Sequence, residues 1–139
     1  MTRVGVVGSG WMAQAHLRAY AAQPDVRIVG LVTRSAERGA ELSRRFGIEA
    51  VFDDVESMLE AARPDGVSIT TVEHEHTGPA CTALERGVGA LVEKPLATTV
   101  EDAELIAATA RRTGAVLLPA HVLRFAAPHR ACCSRVANA

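Results

Sequence analysis

Lysine is almost missing from this 139-residue chain: one of its fifteen basic side chains is Lys94, and all the others are arginine. A guanidinium effectively cannot give up its proton, whereas an ammonium on a flexible stem can do so when desolvated. Keeping one lysine in Glu93-Lys94-Pro95, at the end of an apolar run, points to amine chemistry there. The bland alternative is a drift towards arginine that one lysine escaped. Aromatic residues make up only 4% of the chain, which argues against a base-stacking surface. A formal charge of −1 leaves no broad basic face for nucleic acid or anionic lipid. Cysteine is scarce too. Cys81, Cys132 and Cys133 are odd in number and two are adjacent, so they form no disulfide framework, and a reducing cytoplasm is the expected setting. No apolar run approaches the roughly 18 residues of a membrane helix. Arg3, the apolar stretch from Val4 and Ala13-Gln14-Ala15 crudely resemble a leader, but Gly5, Gly8 and Gly10 interrupt that stretch and have a better explanation.

What is present is a regular alternation. The length suits one domain with a real core, and 48% hydrophobic with 22% charged residues is a globular composition. Short β-branched runs are predicted as strands at Val4–Val7, Val26–Val32, Ala50–Phe52, Gly66–Thr70 and Ala90–Val92, with a sixth from Ala115 to Leu118 or on towards Val122. Between them, helices are predicted at Trp11–Ala22, Ala36–Phe46, Val55–Ala62, Pro79–Arg86 (with Thr77 as N-cap) and Val100–Arg112. Strands this apolar are buried on both faces, which predicts a doubly wound α/β fold: a parallel sheet of about six strands with helices on either side.

Gly8-Ser9-Gly10-Trp11-Met12-Ala13 fits G-x-G-x-x-G/A between the first strand and the first helix, the context that the dinucleotide fingerprint requires. Gly8 would permit the tight turn and Gly10 the approach of a pyrophosphate, while Ala13 lets the helix pack close to the strand. Helix-terminal amides would then face the phosphates. Trp11 can wall the pyrophosphate or simply pack. At the end of the second strand an NAD enzyme usually carries Asp or Glu; this chain has Thr33-Arg34-Ser35. Arg34 can pair with a 2′-phosphate and stack on adenine, and Thr33 and Ser35 can hydrogen-bond that phosphate, so NADP is expected, with NAD the alternative.

Three further segments follow in order: Thr71-Val72-Glu73-His74-Glu75-His76, then Glu93-Lys94-Pro95-Leu96-Ala97, then His121-Val122-Leu123-Arg124-Phe125. With the fingerprint, they make the chain resemble the glucose–fructose oxidoreductase/inositol dehydrogenase (Gfo/Idh/MocA) family over essentially its whole length. The Glu-Lys-Pro segment is the most specific part. The resemblance implies a Rossmann domain binding NAD(P), with Thr71, Val72 and His76 lining the nicotinamide side. It places Glu93 and Lys94 at the reacting end, often with a cis bond before Pro95. It also implies hydride transfer at a sugar or polyol carbon, with Lys94 holding the substrate oxygen and helping to orient the nicotinamide. Glu73 departs from the family's usual Thr-Pro-Asn at this place. Family members are well over twice as long, and their second half shapes the substrate site. Residues 1–125 are therefore expected to be the dinucleotide-binding domain and 126–139 the start of a connecting helix, with the substrate domain absent. Such a chain is expected to be inactive or weakly active alone, and to self-associate or form a homo-oligomer through an uncovered apolar edge.

His121 lies late in the sixth strand near the expected cleft; a substrate contact and a core histidine both fit, and it stands beside Lys94 as a catalytic candidate. His74 and His76 would share a face on a strand, but no third or fourth ligand is evident, so no metal is expected. Arg124 reaches either the cofactor or an absent domain. The rival from another class is a non-catalytic, nucleotide-sensing Rossmann module, which needs no Glu-Lys-Pro.

Overall fold

The computed structural model describes residues 1–126. Predicted features beyond them, including Cys132, Cys133 and a connecting helix over residues 128–136, lie outside the described residues. In chain order the elements are β1 (Thr2–Val7), α1 (Trp11–Ala21), β2 (Val26–Val32), α2 (Ala36–Phe46), β3 (Val51–Phe52), α3 (Val55–Ala62), β4 (Gly66–Ile69), α4 (Thr77–Glu85), β5 (Gly89–Val92), α5 (Val100–Thr113) and β6 (Leu117–Pro119). All six strands are parallel, in the order β3-β2-β1-β4-β5-β6. The order reverses between β1 and β4, so the two βα loops there diverge and leave a crevice at the carboxyl edge.

Two cores sandwich the sheet. Val6, Leu17, Leu31 and Leu42 form one beneath α1 and α2. Met58, Ile69, Leu84, Val92 and Ile106 form the other beneath α3, α4 and α5. Removing the side chain of a fully buried residue such as Leu84 beyond its β-carbon costs about 2–5 kcal/mol in a core of this kind. Gly5 of β1 pairs with Gly30 of β2, and a β-carbon at either position would meet Met58 of α3 at 2.8 Å or less. The glycine pair thus makes the trough into which Met58 fits.

Helix ends follow their capping residues. Ser35, Asp54 and Thr99 accept the amides of Arg38, Ser57 and Asp102, and so cap α2, α3 and α5. Thr77 was expected to cap α4 but is that helix's first residue. A 3₁₀ turn at Glu73–Glu75 leads straight into it, so His76 already has helical dihedrals and takes the cap position. His74 and His76 are therefore not on a strand. The sixth strand is shorter than expected: Pro119 closes it, and a 3₁₀ turn covers Val122–Phe125. No helix among the described residues is long and apolar enough to cross a membrane.

Candidate functional site

The crevice at the switch point is a cleft of about 950 Å³. Its wall includes Gly8, Ser9, Gly10, Trp11, Met12, Thr33, Arg34, Ser35, Thr71 and Val72, which the sequence placed at the cofactor. Gly8 has φ +108°, and a β-carbon there would lie 2.9 Å from the Thr70 carbonyl oxygen, so any side chain would force the turn open. Thr70 is fixed in turn, its hydroxyl donating to the Val7 carbonyl at 2.8 Å. At Gly10 a β-carbon would meet nothing within 4 Å, which leaves open space in front of the helix end. Gly10 is the N-cap of α1 and supplies no side-chain acceptor, unlike the caps of α2, α3 and α5. Unsatisfied amides facing open space suit a pyrophosphate. The Thr71 hydroxyl is buried with no partner among the described residues, one more polar group that a ligand in the cleft can satisfy.

The end of β2 is tied to the glycine loop. Ser9 and Thr33 share a hydroxyl hydrogen bond of 2.8 Å, and Arg38 of α2 donates through Nε to the Ser9 carbonyl at 3.2 Å. Arg34 points outward, its side chain 85% exposed, and its guanidinium donates to Glu75 at 3.2 Å. Acidic groups also line this end: Asp53, Asp54, Glu56, Glu73 and Glu75. The Asp54 carboxyl is held below its ordinary range, because the Ser57 amide and then the Ser57 hydroxyl stabilise the carboxylate.

Beyond β5 the chemistry changes. Just past the end of β5, the Glu93 amide continues the ladder, donating to the Ile69 carbonyl at 3.0 Å. The Glu93 side chain is buried; its Oε1 accepts from His16 Nε2 at 2.9 Å, and its Oε2 accepts the Lys94 amide at 3.2 Å. The Lys94–Pro95 peptide is cis. His76 is buried, with Nδ1 3.0 Å from the Pro95 carbonyl oxygen and Nε2 3.2 Å from that of Thr71. Lys94 is exposed between these anchors. Val92 and Pro119 are paired across β5 and β6, so Lys94 and His121 each lie two residues past the ladder at the same sheet edge. His121 is exposed; its amide donates to the Pro119 carbonyl and its carbonyl accepts the Arg124 amide.

The sequence-predicted site therefore divides. Ten of the residues expected at the cofactor share the cleft wall. Glu93 opens instead on a second, apolar groove of about 380 Å³ between α1 and the ends of β5 and β6, and Met12 borders both spaces. His76 lies behind the wall rather than on it, with a main-chain carbonyl within hydrogen-bond distance of each ring nitrogen, one of which the N–H of a neutral ring can reach at a time. Sequence reasoning missed His16, Arg38 and Glu75. His16 had a readable signal, since Met12, His16 and Tyr20 recur at every fourth position along one face of α1. No cluster of three or more metal-ligating side chains occurs among the described residues. Burial pushes the Cys81 thiol up, which makes it a poor nucleophile.

A parallel 3-2-1-4-5-6 sheet, with a glycine turn after β1 and a cleft at the switch point, defines a dinucleotide-binding Rossmann domain. The chain belongs to the Gfo/Idh/MocA family: residues 2–121 match the model of this oxidoreductase family with an NAD-binding Rossmann fold. It is 34% identical over 131 residues to 1,5-anhydro-D-fructose reductase of Ensifer adhaerens, a match covering 94% of this chain and 39% of that protein. Among solved structures, it is similar to a 3-ketoreductase variant from Actinomadura kijaniata in complex with TDP-benzene and NADP, with a TM-score of 0.88, 28% identity, and 99% of this chain and 44% of that one covered. It is also similar to GenD2 from gentamicin A biosynthesis in complex with NAD, with a TM-score of 0.80, 31% identity, and 85% and 34% covered. The chain thus spans about two fifths of the length of such relatives.

Proposed function

We propose that this chain is the cofactor-binding part of an NADP-dependent oxidoreductase acting on a sugar, a polyol or a related hydroxyl or carbonyl compound. The observation that carries the reading is the uncapped end of α1 facing open space at Gly10, with Arg34 and Ser35 on the cleft wall just past β2 and Arg38 of α2 bonded to the Ser9 carbonyl. The amides of α1 bind the pyrophosphate. Arg34 and Ser35 take the 2′-phosphate, with Arg38 adding charge behind the glycine loop. NADP when bound supplies the hydride chemistry. Lys94 holds the substrate oxygen at the carboxyl edge of β5, and His121, leaving the neighbouring strand at the same edge, is placed to exchange a proton with that oxygen. Residues 1–125 form the cofactor-binding domain, and the remaining substrate contacts come from a region like the one its relatives carry beyond the matched part.

A specific observation favours the alternative cofactor. The fold brings Glu75 beside Arg34, and a carboxylate in that place suits the free 2′-hydroxyl of NAD. Titrating the chain with NADPH and following nicotinamide fluorescence tests the binding half of the proposal. Saturable binding is expected, and no binding at millimolar NADPH overturns it. Fast turnover of any sugar by this chain alone would contradict the need for further substrate contacts.

A further inference from the structure

We infer that His16 is a positioning residue that sets the reacting end through Glu93. The inference rests on the reading of Lys94 as the substrate-facing group. Among the described residues the Lys94 amide donates to the side chain of Glu93 and to no main-chain carbonyl. Its place therefore depends on where that carboxylate is held. Glu93 is 5% exposed, and among the described residues the side chain that bonds it is that of His16, 77 positions earlier on α1, through Nε2 at 2.9 Å. His16 is itself oriented by α1, the helix that begins at the glycine loop, and by the edge of Tyr20, whose hydroxyl bonds that of Ser68 on β4. A chain of contacts thus runs from the pyrophosphate end of α1 through His16 and Glu93 to Lys94. On the other side, His76 holds the Pro95 carbonyl. The Glu-Lys-Pro loop is thus flanked by two histidines, His16 within α1 and His76 at the cap position of α4. Burying an acceptor such as Glu93 without its partner is costly, so loss of the ring donor moves the carboxylate and Lys94 with it.

Three forms of the chain decide the matter: unaltered, His16→Leu and His16→Gln, the glutamine amide nitrogen reaching about as far as Nε2. In ¹H–¹⁵N spectra without ligand, the Lys94 amide is expected to move and exchange faster with solvent in His16→Leu, and to return towards its original position in His16→Gln. NADPH affinity is expected to fall about tenfold in His16→Leu, while affinity for 2′,5′-ADP, which has no nicotinamide, stays within about twofold. An unmoved Lys94 amide, equal weakening of both ligands, or a glutamine variant no better than leucine each overturns the inference. If the unaltered chain failed to bind NADPH, the functional reading would fall, but the ligand-free spectra would still decide the role of His16. Should His16→Leu not fold, Glu93→Gln, which keeps the volume and one acceptor, provides the same comparison at Lys94.

Discussion

The two ends of the carboxyl edge are built differently. At the glycine-loop end the work is done by backbone: Gly8 turns the chain, Gly10 leaves space, and α1 presents amides that no side chain caps. At the reacting end it is done by side chains that meet across the sequence, with His16 on Glu93 and His76 on Pro95. The glycine-loop end is walled on several sides by this chain's own loops. The reacting end borders an apolar groove and the exposed Leu118, Val122, Leu123 and Phe125. The contrast is between a turn whose form lies in consecutive residues and a Glu-Lys-Pro loop whose anchors come from distant parts of the sequence.

The largest expected effect comes from Gly8→Val, which strikes the backbone-built end. The β-branched side chain meets the Thr70 carbonyl at a positive φ, so NADPH affinity should fall by about a hundredfold or more, with a stability loss of about 1–3 kcal/mol. Fluorescence titration together with thermal melting separates the two; full binding by this variant would show that the glycine turn does not face the ligand.

Next comes Arg34→Gln, which sharpens the comparison by removing charge and leaving backbone intact. NADPH affinity should drop about tenfold and NADH affinity by less than about twofold, since only NADPH offers a 2′-phosphate. Equal losses for both would assign Arg34 to adenine stacking alone. Glu75→Gln should act in the opposite direction. It frees Arg34 from an exposed ion pair, worth about 0–1 kcal/mol, and raises NADPH affinity by up to about fivefold. Unchanged or weaker NADPH binding would count against competition for the guanidinium.

The smallest effect concerns acid. Asp54 is ionised more readily in the folded chain than its ordinary 3.8, so its capping of α3 stabilises above that value and is lost as pH falls through the lower folded one. Asp54→Ala should therefore melt earlier than the unaltered chain at neutral pH, and the gap should close on acidification below about pH 4. A gap that persists in acid would mean that the cap does not depend on the carboxylate.

Legibility in the sequence follows the same division. α2 and α3 were readable to the residue because each has a capping side chain at its start, Ser35 and Asp54, and β2 because its apolar run is unbroken from Ile28 to Val32. The glycine loop was readable for the same reason: its chemistry lies within six consecutive residues. The entry to α4 was misread, because Thr77 resembles a cap and nothing local reveals that a 3₁₀ turn precedes it. The end of β6 was misread because Val122 continues the apolar pattern past Pro119. The links of His16 to Glu93 and of Arg34 to Glu75 could not be read from spacing, since parallel strand order alone brings such distant positions together.

The most direct test of the central claim is the ratio of NADPH to NADH affinity for the unaltered chain, both titrated at one ionic strength. The account predicts saturable binding of both, with NADPH the tighter. Tighter binding of NADH would contradict the assignment of Arg34 and Ser35 to a 2′-phosphate and give that place to Glu75.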